Sequence, residues 1–126
     1  MKLRIMGDSL RLRIAPSEMA RLLQDGRIED TVHLGTGRDQ SLIYALEHAA
    51  GRGSVGVRYE GARITVVLPS QMARAWAQGD TVGVYGAVEL GPVRLEVAVE
   101  KDWACRDKGE TDNRDTFPNP NQGANC

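Results

Sequence analysis

The sequence predicts a mainly β protein with two short helices, in which a strand–strand–helix–strand–strand unit occurs twice. Two observations carry this prediction. Apolar and polar residues alternate through eight segments, as they do in half-buried strands. In addition, the hexapeptide PSEMAR at 16–21 returns as PSQMAR at 69–74, which indicates an internal repeat. A hydrophobic fraction of 41% with 5% aromatic residues favours a small domain with an aliphatic core.

Four segments of the first half alternate with period two and are predicted to be strands. They span residues 2–6, 9–14, 27–34 and 41–48. Gly7-Asp8 is predicted to form a two-residue hairpin turn between the first two strands. Between the second and third strands, Ser17 is a natural N-cap for a short helix, and Gly26 is suited to end that helix.

The second half repeats this pattern, and its predicted strands follow the same alternation. They span residues 54–59, 62–68, 81–88 and 94–99. Glu60-Gly61 is the predicted turn of the first pair, and Ser70 the predicted cap of a helix that ends near Gly79. In the alignment of the two halves, Ile28 falls on Val82.

These elements predict one duplicated domain over residues 1–101, with repeats at about 1–50 and about 53–101. A single-chain β-barrel with pseudo-twofold symmetry is the favoured architecture, because closure removes exposed sheet edges. The alternative is two packed sheets, each with a helix. Residues 102–126 lack periodicity and predict an irregular tail, which Phe117 is placed to pin to the domain.

Charge and composition exclude several classes of protein. Sixteen Lys and Arg against seventeen Asp and Glu give a net charge of −1, which argues against a strongly basic nucleic-acid binder. No apolar run approaches the roughly 18 residues of a membrane span. Two cysteines make no disulfide framework, so we expect a reducing cytoplasm. Composition leaves both a monomer and a homodimer open.

The first hairpin carries four cations on one face. With Gly7-Asp8 as the turn, Lys2 faces Arg13 and Arg4 faces Arg11. Like charges directly opposite each other on a sheet are destabilising, so something negative is expected to cover them. One interpretation is the acidic tail or a carboxylate of this chain such as Glu29. The functional interpretation is an anionic partner: phosphate, nucleic acid or an acidic protein surface.

A second candidate site combines thiols and carboxylates of the tail. Its members are Asp102, Cys105, Asp115 and Cys126. Together with His33 or His48 they form a ligand set for zinc or iron. The sequence has no CxxC or HxxxH spacing in support, and no other cofactor is expected.

No catalytic constellation is apparent in the sequence. It has no nucleophile elbow, phosphate-binding loop or HExxH motif. His48 follows the apolar residues of its strand in phase, which places it near a barrel mouth as a hydrogen-bonded rim residue or, alternatively, as a general base. We therefore expect a protein without enzymatic activity, although the sequence leaves this open.

Two resemblances extend this interpretation. The residues RITVVLP at 63–69, a short helix and GDTV at 79–82 resemble the pattern of AbrB-like transcription factors. That resemblance implies a swapped-hairpin barrel which binds DNA through a basic face. The whole chain, from its opening MKLRIMGDSLRLR to the residues EKDWAC at 100–105 and FPNP at 117–120, resembles a small family of uncharacterised bacterial proteins. This second resemblance implies no activity.

Two function hypotheses follow. The first is a small non-enzymatic cytoplasmic binding or interaction domain that recognises a protein or small-molecule partner. The second is an AbrB-like nucleic-acid-binding regulator that uses the basic face of the first hairpin. Salt-dependent retention on DNA distinguishes them.

Overall fold

The structure is a computed structural model that describes residues 1–103 and 115–118. The order strand, strand, helix, strand, strand occurs twice along the chain. The elements are β1 (Lys2–Ile5), β2 (Ser9–Ile14), α1 (Pro16–Asp25), β3 (Arg27–His33), β4 (Ser41–Ala49), β5 (Gly56–Glu60), β6 (Arg63–Pro69), α2 (Ser70–Gln78), β7 (Gly83–Leu90) and β8 (Val93–Lys101). The predicted fold class, mainly β with two short helices, is confirmed. In the part of the chain described, neither helix has the length and apolarity needed to cross a membrane.

The strands form two four-stranded sheets. Sheet A has the order β1-β2-β8-β7, and sheet B has the order β3-β4-β6-β5. Each sheet joins a hairpin from the first half to a hairpin from the second, through a central parallel pair, β2 with β8 or β4 with β6. The prediction of a closed barrel is therefore wrong, and the alternative of two packed sheets is confirmed. A closed barrel would require strands of one sheet to pair with strands of the other. Among the described residues, each hairpin instead pairs with one other hairpin through the central parallel strands, and the two sheets share no strand pair.

The first hairpin has the predicted register. Lys2 pairs with Arg13 and Arg4 with Arg11, and the N–H of Met6 donates to the carbonyl of Ser9 across the turn (3.1 Å). The turn is therefore the predicted Gly7-Asp8.

The hairpin of β5 and β6 differs from the prediction by one residue. Glu60 pairs with Arg63, so Gly61-Ala62 forms the turn instead of Glu60-Gly61. Both turn residues have positive φ, +54° and +58°, and a two-residue hairpin turn favours this backbone twist.

Both helices begin without the predicted serine caps. Helix α1 starts at Pro16, where a missing N–H costs nothing. Glu18 Oε1 accepts the N–H of Ala15 (2.9 Å), as in the second half of a capping box. Ser17 lies in the first turn, and Ser70 opens α2 without a side-chain capping bond. The prediction that Ser17 and Ser70 cap the helices is wrong.

The core lies between the inner faces of the two sheets and the two helices. Its largest fully buried side chains are Leu12, Ile14, Leu22, Leu46, Leu68 and Trp76. The Trp76 indole N–H donates to the carbonyl of Val82 (3.1 Å), so the polar edge of the largest core residue is satisfied.

The described part of the tail runs beside sheet A. The N–H of Asp102 donates to the carbonyl of Ile14 (2.9 Å), and the N–H of Phe117 donates to the carbonyl of Asp102 (2.8 Å). Phe117 packs against the core and forms a parallel bridge with Trp103. Phe117 thus pins this stretch, as the sequence predicts, and places Asp102 beside the first hairpin.

Candidate functional site

The four predicted cations of the first hairpin lie together on the outer face of sheet A. Strand alternation buries Leu10, Leu12 and Ile14 on the inner face and turns the basic residues outward. The four side chains line one groove of about 310 Å³. We call this set the basic face; it consists of Lys2, Arg4, Arg11 and Arg13.

Two of the four cations are paired with carboxylates of the chain itself. Lys2 Nζ lies 3.0 Å from Asp102 Oδ2, and Arg11 Nε lies 3.2 Å from Glu100 Oε1, without hydrogen-bond alignment. Asp102 and Glu100 are both buried, 5% and 8% exposed. The prediction that the tail helps to cover the cations is confirmed for Asp102. It is wrong for Glu29, which lies on sheet B and pairs with Arg27.

The other two cations have no carboxylate partner among the described residues. The Arg13 guanidinium lies over the Trp103 ring, 5.8 Å from its centroid, and its buried Nε has no hydrogen-bond partner in the part of the chain described. Arg4 is exposed, and one of its terminal nitrogens contacts Met6 Sδ at 3.6 Å. The basic face thus carries two positive charges that described carboxylates leave unpaired.

Tyr85 and Glu100 extend this face across β8 and β7, a feature that the sequence analysis missed. Tyr85 Oη donates to Glu100 Oε2 (2.7 Å). Partial burial of the Tyr85 hydroxyl, together with the hydrogen bond and charge of Glu100, raises the pKa of Tyr85 to about 12, although Arg11 acts in the opposite direction. Glycine is needed at Gly83, opposite Glu100, because a Cβ there would lie 2.7 Å from the Val99 carbonyl oxygen and 3.1 Å from Tyr85 Oη.

A hollow of about 370 Å³ lies next to the basic face on the same sheet. Arg11, Tyr85, Arg94 and Glu96 are among its lining residues, and Ala98 lies between Arg11 and Tyr85 in the register. The small side chain at the centre of the sheet creates the depression. Together, groove and hollow form an open surface that bears both cations and carboxylates.

The predicted metal ligands are only partly within the described residues. Asp102 pairs with Lys2, and Asp115 Oδ2 accepts a hydrogen bond from Ser17 Oγ (2.5 Å). Cys105 and Cys126 lie outside the described residues. Within 1–103 and 115–118, no group of three or more His, Cys, Asp and Glu side chains is placed to hold a metal ion.

His48 lies at the end of β4, next to the start of α2. Its Nδ1 is 2.7 Å from Ser70 Oγ, while its buried Nε2 has no hydrogen-bond partner among the described residues. A Ser–His pair is one element of nucleophilic catalysis, but Ser70 is only 8% exposed, which restricts access for a substrate. His33, by contrast, is exposed on β3.

Comparisons with known proteins place the chain in a family but assign no activity. The model of a family of unknown function, DUF7009, matches residues 1–121. No curated protein matches the chain, and no solved structure matches it. The resemblance to AbrB-like factors is not shown by these comparisons. The coverage of the family model establishes that the chain belongs to the family of unknown function DUF7009.

Proposed function

We propose that the protein is a non-enzymatic interaction domain whose basic face binds a carboxylate-bearing segment of a partner protein. One observation carries the proposal: four cations line a single groove, and described carboxylates reach only two of them. Arg4, on the edge strand β1, is open to a partner.

The chemistry already present on this face favours carboxylates. Asp102 and Glu100 of the same chain pair with Lys2 and Arg11, so the basic face already binds carboxylates. An acidic segment lying along β1 would bring further carboxylates to Arg4 and Arg13. Guanidinium–carboxylate hydrogen bonds are among the strongest polar contacts in proteins.

A nucleic acid is the second candidate ligand, because Tyr85 is 59% exposed on the same face and offers a ring for base stacking. The carboxylates of Glu89, Glu96 and Glu100 share that face, because each lies an even number of strand positions from the Tyr85–Ala98 pair. Glu89 and Glu96 pair with Arg94, and Glu100 pairs with Arg11. A phosphate backbone that reached Tyr85 would have to compete with these carboxylates for the cations. An acidic peptide that contacts only the β1–β2 side avoids most of this competition.

Fluorescence anisotropy with labelled hexaglutamate tests the proposal. We expect the wild-type chain to bind the peptide at low salt, and binding to weaken near an ionic strength of about 0.15 M. Arg4→Gln should weaken binding about tenfold. It should leave the fold intact, because the Arg4 side chain is exposed and its one hydrogen-bond contact among the described residues is with Met6 Sδ. Arg74→Gln removes an exposed charge on α2 and is the matched control, which should bind like wild type.

The proposal fails if hexaglutamate does not bind, or if Arg4→Gln and Arg74→Gln bind it equally. A mixed-sequence DNA duplex is the comparison ligand. If DNA binds more tightly than the peptide and loses affinity with Arg4→Gln, the basic face belongs to a nucleic-acid binder.

We further propose that the chain arose by duplication and acts in the cytoplasm. Exchanging the two halves converts the order of sheet A, β1-β2-β8-β7, into β5-β6-β4-β3, which is sheet B read in reverse. The repeated PSEMAR and PSQMAR segments support the same origin. Sparse cysteine usage supports a reducing compartment.

A further inference from the structure

We propose a second, separate anion site on the outer face of sheet B, where Arg27, Arg58 and Arg63 hold one phosphate group above Thr65. These residues, with Glu60, line a cavity of about 160 Å³. The sequence analysis did not single out any of them. This site goes beyond the proposed function because it lies on the other sheet and takes a different ligand.

Strand alternation produces the shape of this site. Thr65 pairs with Ala45 on one side and with Arg58 on the other, so small side chains occupy the centre of the outer face. Arg27 and Arg63 line the same depression from β3 and β6. Thr65 is only 1% exposed, so it forms the floor, and the longer arginine side chains form the walls.

Glu47 holds two of the arginines in position. Its Oε1 accepts from Arg27 Nη1 (2.8 Å) and from Arg58 Nη2 (2.6 Å), and Arg27 Nη2 also donates to Glu29 Oε2 (3.2 Å). Each guanidinium has five N–H donors, so most of their donors stay available after these bonds. Two guanidiniums are thereby ordered before any ligand arrives, which lowers the entropy cost of binding.

Arg63 supplies the charge that described residues leave unpaired. Its side chain makes no hydrogen bond or ion pair with any residue that the structure describes, although Glu60 is its partner in the strand register. Glu47 offsets part of the charge of Arg27 and Arg58, and Glu60 also lines the cavity. The charge that an oxyanion would balance is therefore mainly that of Arg63. The remaining donors of Arg27 and Arg58 would hold the oxyanion beside it.

The size and donor set of the cavity indicate a phosphate group. Pockets for drug-sized ligands measure roughly 300–1,000 Å³, so 160 Å³ suits a single small group. Planar guanidinium forks match the oxygens of phosphate, and the hydroxyl of Thr65 adds a donor at the floor. The group is either free phosphate or the terminal phosphate of a monoester.

Isothermal titration of the full chain with inorganic phosphate, and in parallel with phenyl phosphate, tests this site. Arg63→Gln should weaken binding about tenfold or more, and Thr65→Val, which keeps the side-chain volume, should weaken it less. Arg74→Gln and Arg4→Gln should bind like wild type. Tighter binding of phenyl phosphate assigns the site to a phosphomonoester, and tighter binding of inorganic phosphate assigns it to the free ion.

The proposal is overturned if neither ligand binds the wild-type chain, or if Arg63→Gln and Arg74→Gln bind equally well. It is also overturned if Arg4→Gln abolishes phosphate binding while Arg63→Gln does not, because the phosphate would then lie on sheet A. Circular dichroism of each variant establishes that a lost signal does not reflect unfolding.

Discussion

Glu47 in sheet B and Glu100 in sheet A occupy matching positions in the strand register but are stabilised differently. Glu47 lies between Arg27 and Val67, whereas Glu100 lies between Gly83 and Arg13. Two guanidiniums bind a single oxygen of Glu47. A phenol and one guanidinium bind Glu100. The same backbone arrangement therefore supports two different polar networks.

The neighbour of each glutamate determines the surface around it. Arg27 fills the space beside Glu47 and leaves a cavity of about 160 Å³. Gly83 has no side chain beside Glu100, and the Tyr85 hydroxyl reaches the carboxylate there. The hollow on the same face lies over the small residue Ala98. Arginine or glycine at this register position therefore determines which side chain binds the glutamate, the guanidinium of Arg27 or the phenol of Tyr85.

The largest expected effect comes from adding a side chain beside Glu100. Gly83→Ala places a Cβ 2.7 Å from the backbone oxygen of Val99, and such overpacking should cost about 3 kcal/mol of unfolding free energy. Arg27→Ala at the matching position should cost about 1 kcal/mol, because charge-assisted bonds are lost without a steric clash. Urea denaturation measures both variants. Equal losses of unfolding free energy would show that the steric clash at Gly83 costs no more than the charge-assisted bonds lost at Arg27.

A smaller difference is expected for the glutamates themselves. Glu100→Gln should cost about 2 kcal/mol, since a carboxylate with 8% residue exposure loses its ion pair with Arg11. Glu47→Gln should cost about 1 kcal/mol, because its side chain is 22% exposed and water replaces part of the lost interaction. The two variants are compared in the same denaturation series. A larger loss at Glu47 would contradict the ranking by burial.

Tyr85→Phe should cost about 1 kcal/mol at neutral pH, because it removes one hydrogen bond to Glu100. The pKa of Tyr85 is raised from 10.0 to about 12 by folding. The stability that the protonated Tyr85 hydroxyl contributes is therefore fully present below pH 10 and is lost as the pH rises towards 12. Denaturation at several alkaline pH values should show a steeper loss for wild type than for Tyr85→Phe. Parallel profiles would contradict this role of Tyr85.

The smallest stability effect is expected at the proposed phosphate site. Arg63→Gln should change the free energy of unfolding by less than about 0.5 kcal/mol, because the Arg63 side chain makes no polar contact with any described residue. Without added anions the change should be neutral or slightly stabilising, since one positive charge leaves the cavity. Thermal unfolding in phosphate-free buffer measures it. A loss above 1 kcal/mol would reveal a structural role instead.

Local pairing was predictable from the sequence, and pairing between the halves was not. Gly7-Asp8 fixes the register of the first hairpin because the chain reverses there within two residues. The central pairs β2–β8 and β4–β6 join distant segments, and alternation within a strand carries no information about its neighbour. The sequence alignment of the two halves also placed Ile28 on Val82, and this is wrong. Val84 lies opposite Val99 in the register, as Ile28 lies opposite Leu46, so Val84 is the counterpart of Ile28.

The candidate sites follow the same rule. The basic face was predictable because all four of its residues belong to one hairpin. Glu100, which pairs with Arg11, and Tyr85, which donates to Glu100, come from the other half of the chain. The pattern within the first hairpin therefore does not predict them. The phosphate site likewise combines β3, β5 and β6. Alternation predicts that Arg63, Thr65 and Val67 share a face, but not that Arg27 faces them.

The basic face on sheet A and the proposed phosphate site on sheet B should bind their anions independently. Hexaglutamate and phosphate binding, measured for wild type, Arg4→Gln, Arg63→Gln and Arg74→Gln under one set of conditions, tests this independence. Arg4→Gln should weaken only hexaglutamate binding, Arg63→Gln should weaken only phosphate binding, and Arg74→Gln should weaken neither. If the two site variants affect both ligands equally, the faces are not separate sites.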